Sequence, residues 1–109
     1  MKKILLVYTL CASKKEAEKI ARECVNERLA ACANVRAPSN SFFRWNGKLV
    51  KRTEYPIVLK TTGRRYSALE KKIRSLHSYE LPCVVAFELK RGSKDYLKWV
   101  ADECASRNQ

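Results

Sequence analysis

The fold of this chain is indicated most clearly by Glu27-Arg28-Leu29-Ala30-Ala31-Cys32-Ala33-Asn34. This segment follows apolar residues spaced as on one face of a helix, and it then runs through small side chains that let two backbones pack closely. We therefore predict a helix whose apolar stripe continues to Leu29, followed by a strand from Ala30 to Val35. Ser13 with Glu16 forms the pattern of a capping box, which places the start of the helix just after Ser13.

The segments on either side predict further strands. Ile4–Leu10 is a continuous apolar run, which is typical of a strand that is covered on both faces or central in its sheet. Asn46-Gly47 is a strong signal for a type I′ turn between a strand over Ser41–Trp45 and a long strand over Lys48–Thr62. Because Pro56 has no backbone N–H, we expect it at an edge or a bulge of the long strand.

The rest of the chain alternates between helix and strand. A helix is predicted between Gly63 and His77, a buried strand over Cys83–Leu89, and a last helix after Gly92-Ser93. The order of the elements is that of the split βαβ pattern of ferredoxin-like domains. We predict a single α+β domain over residues 1–109: a ferredoxin-like sandwich with a long hairpin and an extra C-terminal helix.

Composition and charge limit the functions of the chain. The apolar fraction of 46% is that of a globular protein, and a chain of 109 residues is short enough for assembly to be a reasonable expectation. The net charge of +12 is spread along the chain, which makes nucleic-acid binding an alternative rather than the leading function. No segment approaches the length of a membrane span. The apolar start fits a buried strand better than a secretory signal.

The cysteines indicate a reducing cytoplasm. Their number, five, is odd, and no Cys-x-x-Cys pair occurs, which argues against a disulfide framework and against a structural zinc site. Four of them fall in apolar patterns and are predicted to be buried: Cys24, Cys32, Cys83 and Cys104. Cys11 follows the first strand, and we expect it to be exposed in a loop and able to form a thiolate.

Seven segments of the chain resemble, in order and spacing, the CutA family of divalent-cation tolerance proteins. They are Val7-Tyr8-Thr9, Ala17–Ala21, Arg28–Asn34, Trp45-x-Gly47-Lys48, Leu59-Lys60-Thr61, His77–Pro82 and Tyr96–Trp99. The resemblance implies a homotrimer similar to the PII signalling proteins, without enzymatic activity, that responds to divalent metal ions, copper before zinc. No metal is expected to be required for folding. The chain departs from the family at Ser78, where a proline is usual, and at Ala12-Ser13, where Pro-Asp is common.

Two residues are candidate metal ligands, each with a structural alternative. His77 is the only histidine. A neutral imidazole suits Cu(II) or Zn(II), but a histidine at this position can also cap the end of the second helix. The family resemblance, in which this histidine is linked to copper, gives the two interpretations similar weight. Cys11 lies near a copper-linked cysteine of some bacterial members, and an ordinary loop thiol is its alternative.

A second candidate site is a small-ligand cleft, for which the predicted residues are Trp45, Lys60, Tyr79 and Glu80. Packing of the rings and a surface ion pair between Lys60 and Glu80 are the structural alternatives. The long hairpin carries three aromatic residues whose exposure would promote aggregation of a monomer, so we expect them to anchor an oligomer interface. These residues are Phe42, Phe43 and Trp45.

Three functions remain open on this basis. The leading one is a cytoplasmic homotrimer that binds a divalent metal, or senses a small ligand, between its subunits. The second is a nucleic-acid-binding module, supported by the net charge and the aromatic strand, although the aromatic-glycine motif of the common RNA-binding version is missing. The third is a structural trimer that serves a partner protein. With only three glycines, the sequence contains no phosphate-binding P-loop.

Overall fold

A computed structural model describes residues 3–105, and the other residues of the predicted domain lie outside this range. The elements in chain order are β1 (Ile4–Cys11), α1 (Lys14–Asn26), β2 (Cys32–Val35), β3 (Ser39–Trp45), β4 (Lys48–Thr62), α2 (Tyr66–Leu76), β5 (Val84–Glu88) and α3 (Lys94–Glu103). Their order confirms the predicted succession of strands and helices. No helix in the described part is long and apolar enough to cross a membrane.

The five strands form one antiparallel sheet. The strand order is β2-β4-β1-β5, and β3 pairs with the part of β4 that extends beyond β1. β1 is therefore central, as its apolar run predicted. The turn between β3 and β4 is the expected one, since Asn46 and Gly47 have φ of 50° and 77°.

Pro56 corrects one expectation. It lies inside β4, a central strand, opposite Leu10 of β1, and not at an edge of the sheet. Its carbonyl accepts the N–H of Arg36 at 2.8 Å, just after β2 ends and before β3 begins. The N–H and C=O of a residue in an antiparallel strand point to the same neighbouring strand. The missing donor therefore falls at the break between β2 and β3, where no ladder partner is needed.

The first helix ends earlier than its apolar pattern predicted. Ser13 is its N-cap and accepts the N–H of Glu16 at 3.1 Å, as expected. The helix stops at Asn26 because Arg28 takes a positive φ of 60°, and the N–H of Leu29 then bonds to the carbonyl of Cys24. This is a Schellman ending, so Leu29 packs into the core from the turn and not from the helix.

Helices α1 and α2 cover one face of the sheet and enclose the main core. The fully buried residues there include Val7, Ile20, Ile57, Leu59, Leu69 and Ile73. On the other face, α3 covers only the end near Ile4. The rest of that face, which we call the open face, carries Leu6, Tyr8 and Val58 and the exposed side chains Val85 and Phe87, because residues paired across antiparallel strands share a face.

The prediction that the last strand is buried is wrong for the single chain. Within residues 3–105, β5 pairs only with β1, and Val85 and Phe87 are 46% and 62% exposed. An apolar run identifies a strand whose side chains require a cover, but it does not tell whether that cover comes from the same chain.

Candidate functional site

Three potential metal ligands meet where β1 ends. Cys11 is the last residue of β1, Glu16 lies in the first turn of α1, and His77 directly follows α2. The thiol sulfur, a carboxylate oxygen and a ring nitrogen lie within 4.8 Å of one another. The structure thus brings together Cys11 and His77, which were both predicted as ligands, and adds Glu16, which was not.

Two hydrogen bonds hold the His77 ring in one orientation. Its side chain is fully buried, and Nε2 lies 2.7 Å from the carbonyl oxygen of Leu10. Because a carbonyl only accepts, we assign the ring proton to Nε2. Nδ1 then accepts the backbone N–H of Tyr79 at 3.2 Å. His77 is the C-cap residue of α2, as the structural alternative predicted, but its ring bonds to the carbonyl at the end of β1 and not to those of the helix.

The side chain of Glu16 does not bond within the helix cap; its carboxylate lies beside the ring of His77. Oε2 lies 3.6 Å from Nδ1, and this buried oxygen has no hydrogen-bond partner among the described residues. The capping-box pattern with Ser13 explained Glu16 as a structural residue, which is why it was not predicted as a ligand. In the helix cap, Glu16 takes part only through its backbone N–H, which donates to the hydroxyl of Ser13.

Cys11 does not lie in an exposed loop, as was expected. It pairs with Tyr55 of β4 and is fully buried against the main core. Burial, and then the nearby carboxylates of Glu16 and Glu54, raise the pKa of the Cys11 thiol to about 12. The thiol is therefore protonated at neutral pH, and a metal ion must displace this proton in order to bind.

The three side chains form a donor set that suits a soft or borderline divalent cation. A thiolate and an imidazole favour copper or zinc over magnesium or calcium, and a carboxylate adds negative charge. The Glu16 oxygen without a partner lies 3.6 Å from Nδ1 of His77, and a cation that displaces the N–H of Tyr79 from Nδ1 could bind to both atoms. The residues present therefore fit a transition-metal ion.

A cavity of about 810 Å³ lies between the β3–β4 hairpin and the segment that follows His77. Three of the predicted cleft residues, Trp45, Tyr79 and Glu80, line it. Lys60 does not: its ammonium lies 3.8 Å from the sulfur of Cys32 and over the ring of Tyr96, at the other end of β4. The predicted cleft is therefore corrected by the removal of Lys60.

The cavity is lined by three charged residues that were not predicted, Arg44, Arg52 and Glu54. The alternation of side chains along β4 was the available signal, since residues 50, 52 and 54 must share one face of the hairpin. The same face of β3 carries Ser41, Phe43 and Trp45, which pair with or lie beside them.

The predicted interface aromatics and the remaining cysteines divide by exposure. Phe42 and Trp45 are 63% and 42% exposed, and Phe43 is half-buried.

Cys24 and Cys104 are buried as expected, whereas Cys32 and Cys83 are only partly covered. The prediction of burial was wrong for these two because both lie at the margins of the open face and the cavity.

Comparisons with known proteins agree with this geometry. The family described as CutA1 divalent ion tolerance protein matches residues 5–103. The divalent-cation tolerance protein CutA of Archaeoglobus fulgidus is 36% identical over 94 residues, which cover 86% of this chain and 91% of that protein.

Solved structures give the same result. A CutA1 from Ehrlichia chaffeensis has a TM-score of 0.91 at 29% identity and covers 97% of this chain and 99% of that one. An A. fulgidus CutA, described as periplasmic, has a TM-score of 0.90 at 33% identity and covers 94% and 99%. The chain therefore belongs to the family of CutA1 divalent ion tolerance proteins.

Proposed function

We propose that this protein is a non-enzymatic, cytoplasmic metal-binding protein that takes up a divalent cation, copper before zinc, at Cys11, Glu16 and His77. The observation that carries the proposal is the pair of electron-rich atoms, Oε2 of Glu16 and Nδ1 of His77, that face each other 3.6 Å apart in a buried site. Oε2 is buried without a hydrogen-bond partner within the described residues, which is costly, and a cation shared with Nδ1 would supply one. The thiol of Cys11 completes a set that favours copper.

The residues around the three ligands have defined roles in this proposal. The carbonyl of Leu10 holds the Nε2–H of His77, which directs Nδ1 toward Glu16 and Cys11. The N–H of Tyr79 has to release Nδ1 when a metal binds there. Metal binding is therefore expected to shift the segment after His77, which also forms one wall of the cavity.

Calorimetric titration of the reduced, chelator-treated protein with Zn²⁺ tests this function. Zn²⁺ has no redox chemistry and so avoids the oxidation of thiols that Cu²⁺ can cause. We expect one saturable site per chain, and we expect His77→Ala to weaken binding by more than about a hundredfold. The loss of a group that only hydrogen-bonds to a metal ligand already costs roughly 10–100-fold. Competition between Cu²⁺ and Zn²⁺ for the site, under anaerobic conditions, then measures the preference for copper.

Glu16→Gln and Glu18→Gln provide a matched pair of variants for the same titration. Both residues lie on α1, but only Glu16 faces His77, and Glu18 is exposed. Glu16→Gln should weaken zinc binding, whereas Glu18→Gln should not. Equal affinities in the wild type, His77→Ala and Glu16→Gln would show that zinc binds elsewhere and would rule out this site.

The protomer is, in this proposal, a ferredoxin-like split βαβ unit that assembles into a PII-like homotrimer. The strand order β2-β4-β1-β5, with α1 and α2 on one face, supports the first part. The uncovered apolar open face, the exposed edge strand β5 and the exposed ring of Phe42 support the second, because such surfaces are usually buried in an assembly.

A further inference from the structure

The cavity beside the hairpin is bounded by aromatic and charged side chains that the metal site does not use. One wall is the face of the hairpin that carries Phe43, Trp45, Arg52 and Glu54. The opposite wall is the segment from Ser78 to Leu81. The cavity has a volume of about 810 Å³, which is within the range of small-molecule sites.

Glu54 is the first unusual feature of this cavity. It is 4% exposed, and no ion pair joins its carboxylate to a Lys, Arg or His of residues 3–105. Burial of a carboxylate without a positive partner is costly, so buried carboxylates are usually paired. Glu54 lines the cavity, and a cation that enters it would supply the missing partner.

Arg52 is the second unusual feature of this cavity. It lies two residues before Glu54 on the same face of β4, yet the two side chains do not form an ion pair with each other. Its guanidinium is instead held over two rings, 5.1 Å from the centroid of Tyr79 and 5.8 Å from that of Phe43. This stacking fixes the cation at the cavity wall, while its N–H groups remain available for an anion.

The hydroxyl of Tyr79 is the third. It is buried and has no hydrogen-bond partner within the described residues. Burial raises the pKa of Tyr79, the neighbouring Glu54 adds to this effect and Arg52 opposes it, so the phenol lies close to both charges. A polar group that remains unsatisfied in this way indicates a position where a ligand atom can bond.

From these features we propose that the cavity binds a small zwitterion, of the class of α-amino acids with an apolar side chain. The ammonium group pairs with Glu54, the carboxylate with Arg52 and the hydroxyl of Tyr79, and the side chain packs on the rings of Phe43 and Trp45. A single charge on the ligand would pair with only one of Glu54 and Arg52. This site requires no metal at Cys11, Glu16 and His77, and it goes beyond the proposed metal binding.

Three probes that share a phenylethyl group test this inference: L-phenylalanine, 2-phenylethylamine and 3-phenylpropanoate. The first has both charges, the second only the ammonium and the third only the carboxylate. The chain has two tryptophans, so Trp99→Phe leaves Trp45 as the only indole, and its fluorescence reports on the cavity. Chelator-treated protein is used, so that the result does not depend on the metal site.

We expect saturable binding of L-phenylalanine, with both single-charge analogues about ten- to a hundredfold weaker, the loss expected for one charge-assisted hydrogen bond. Glu54→Gln should weaken L-phenylalanine by a similar factor and leave 3-phenylpropanoate unchanged. Arg52→Gln should weaken the binding of L-phenylalanine and of 3-phenylpropanoate and leave that of 2-phenylethylamine unchanged. Arg91→Gln, an exposed arginine outside the cavity, is the control and should change nothing.

Two results would overturn the inference. If 2-phenylethylamine bound as tightly as L-phenylalanine, and only Glu54→Gln reduced it, the cavity would be a site for organic cations and not for zwitterions. If none of the probes changed the Trp45 fluorescence or gave heat in calorimetry, while circular dichroism showed a native fold, the cavity would not be a ligand site of this class. Neither result affects the metal titration, so the two proposals fail separately.

Discussion

Phe87→Arg is expected to convert the proposed trimer into monomers. Phe87 is 62% exposed at the edge of the open face, where it pairs with Leu6 and has no cover from α3. In the proposed trimer this face lies against the other subunits, and an unpaired guanidinium buried there would cost several kcal/mol. Sedimentation velocity should give three times the chain mass of 12.6 kDa for the wild type, and one chain mass for the variant.

Val25→Arg is the matched control for this substitution. Val25 is also an exposed apolar residue, but it lies on α1, on the opposite side of the sheet. The control should remain trimeric. A wild-type protein that sediments as a monomer, or a Phe87→Arg variant that stays assembled, would contradict the proposed use of the open face.

Leu59→Ala is expected to lower the free energy of unfolding by about 2–5 kcal/mol, the range for large-to-small changes in a core. Leu59 is fully buried on β4, where it pairs with Val7 on one side and Ala33 on the other. The neighbouring strands hold the backbone on both sides, so the structure has little freedom to close the cavity left by the shorter side chain. Urea unfolding measures the change, at one fixed protein concentration because assembly adds to stability.

The same substitution at Leu49 serves as the control. Leu49 belongs to the same strand but is 71% exposed near the hairpin turn. Leu49→Ala should therefore change the free energy of unfolding by less than about 0.5 kcal/mol, as is usual for surface positions. Similar losses for the two variants would mean that the core does not lie where the structure places it.

Much of the fold could be predicted because its signals are local. The Ser13 cap and the Asn46-Gly47 turn each specify a backbone geometry through their own chemistry, and both occur as predicted. The end of α1 did not follow from the sequence, since its apolar spacing continues to Leu29 while the chain already reverses at Arg28. An arginine does not predict a positive φ, which is more typical of glycine.

The site was only partly predictable because its members meet through tertiary structure. Cys11 and His77 were identified with the help of family resemblance, but the exposure of Cys11 was wrong because β1 continues one residue further than its apolar run. Glu16 already had an explanation in the helix cap. Lys60 was placed in the cleft with Tyr79, although the register of β4 carries it to Cys32 instead.

The central claim, that Cys11, Glu16 and His77 bind a divalent cation, is tested most directly by the absorption spectrum of the protein loaded with Co²⁺. A thiolate ligand gives a charge-transfer band in the near ultraviolet, which neither nitrogen nor oxygen ligands produce. We predict this band in the wild type, saturating at one Co²⁺ per chain, and its loss in Cys11→Ser but not in Cys24→Ser, a variant of another fully buried cysteine. A wild-type spectrum without the band, or one that Cys11→Ser leaves unchanged, would contradict the account.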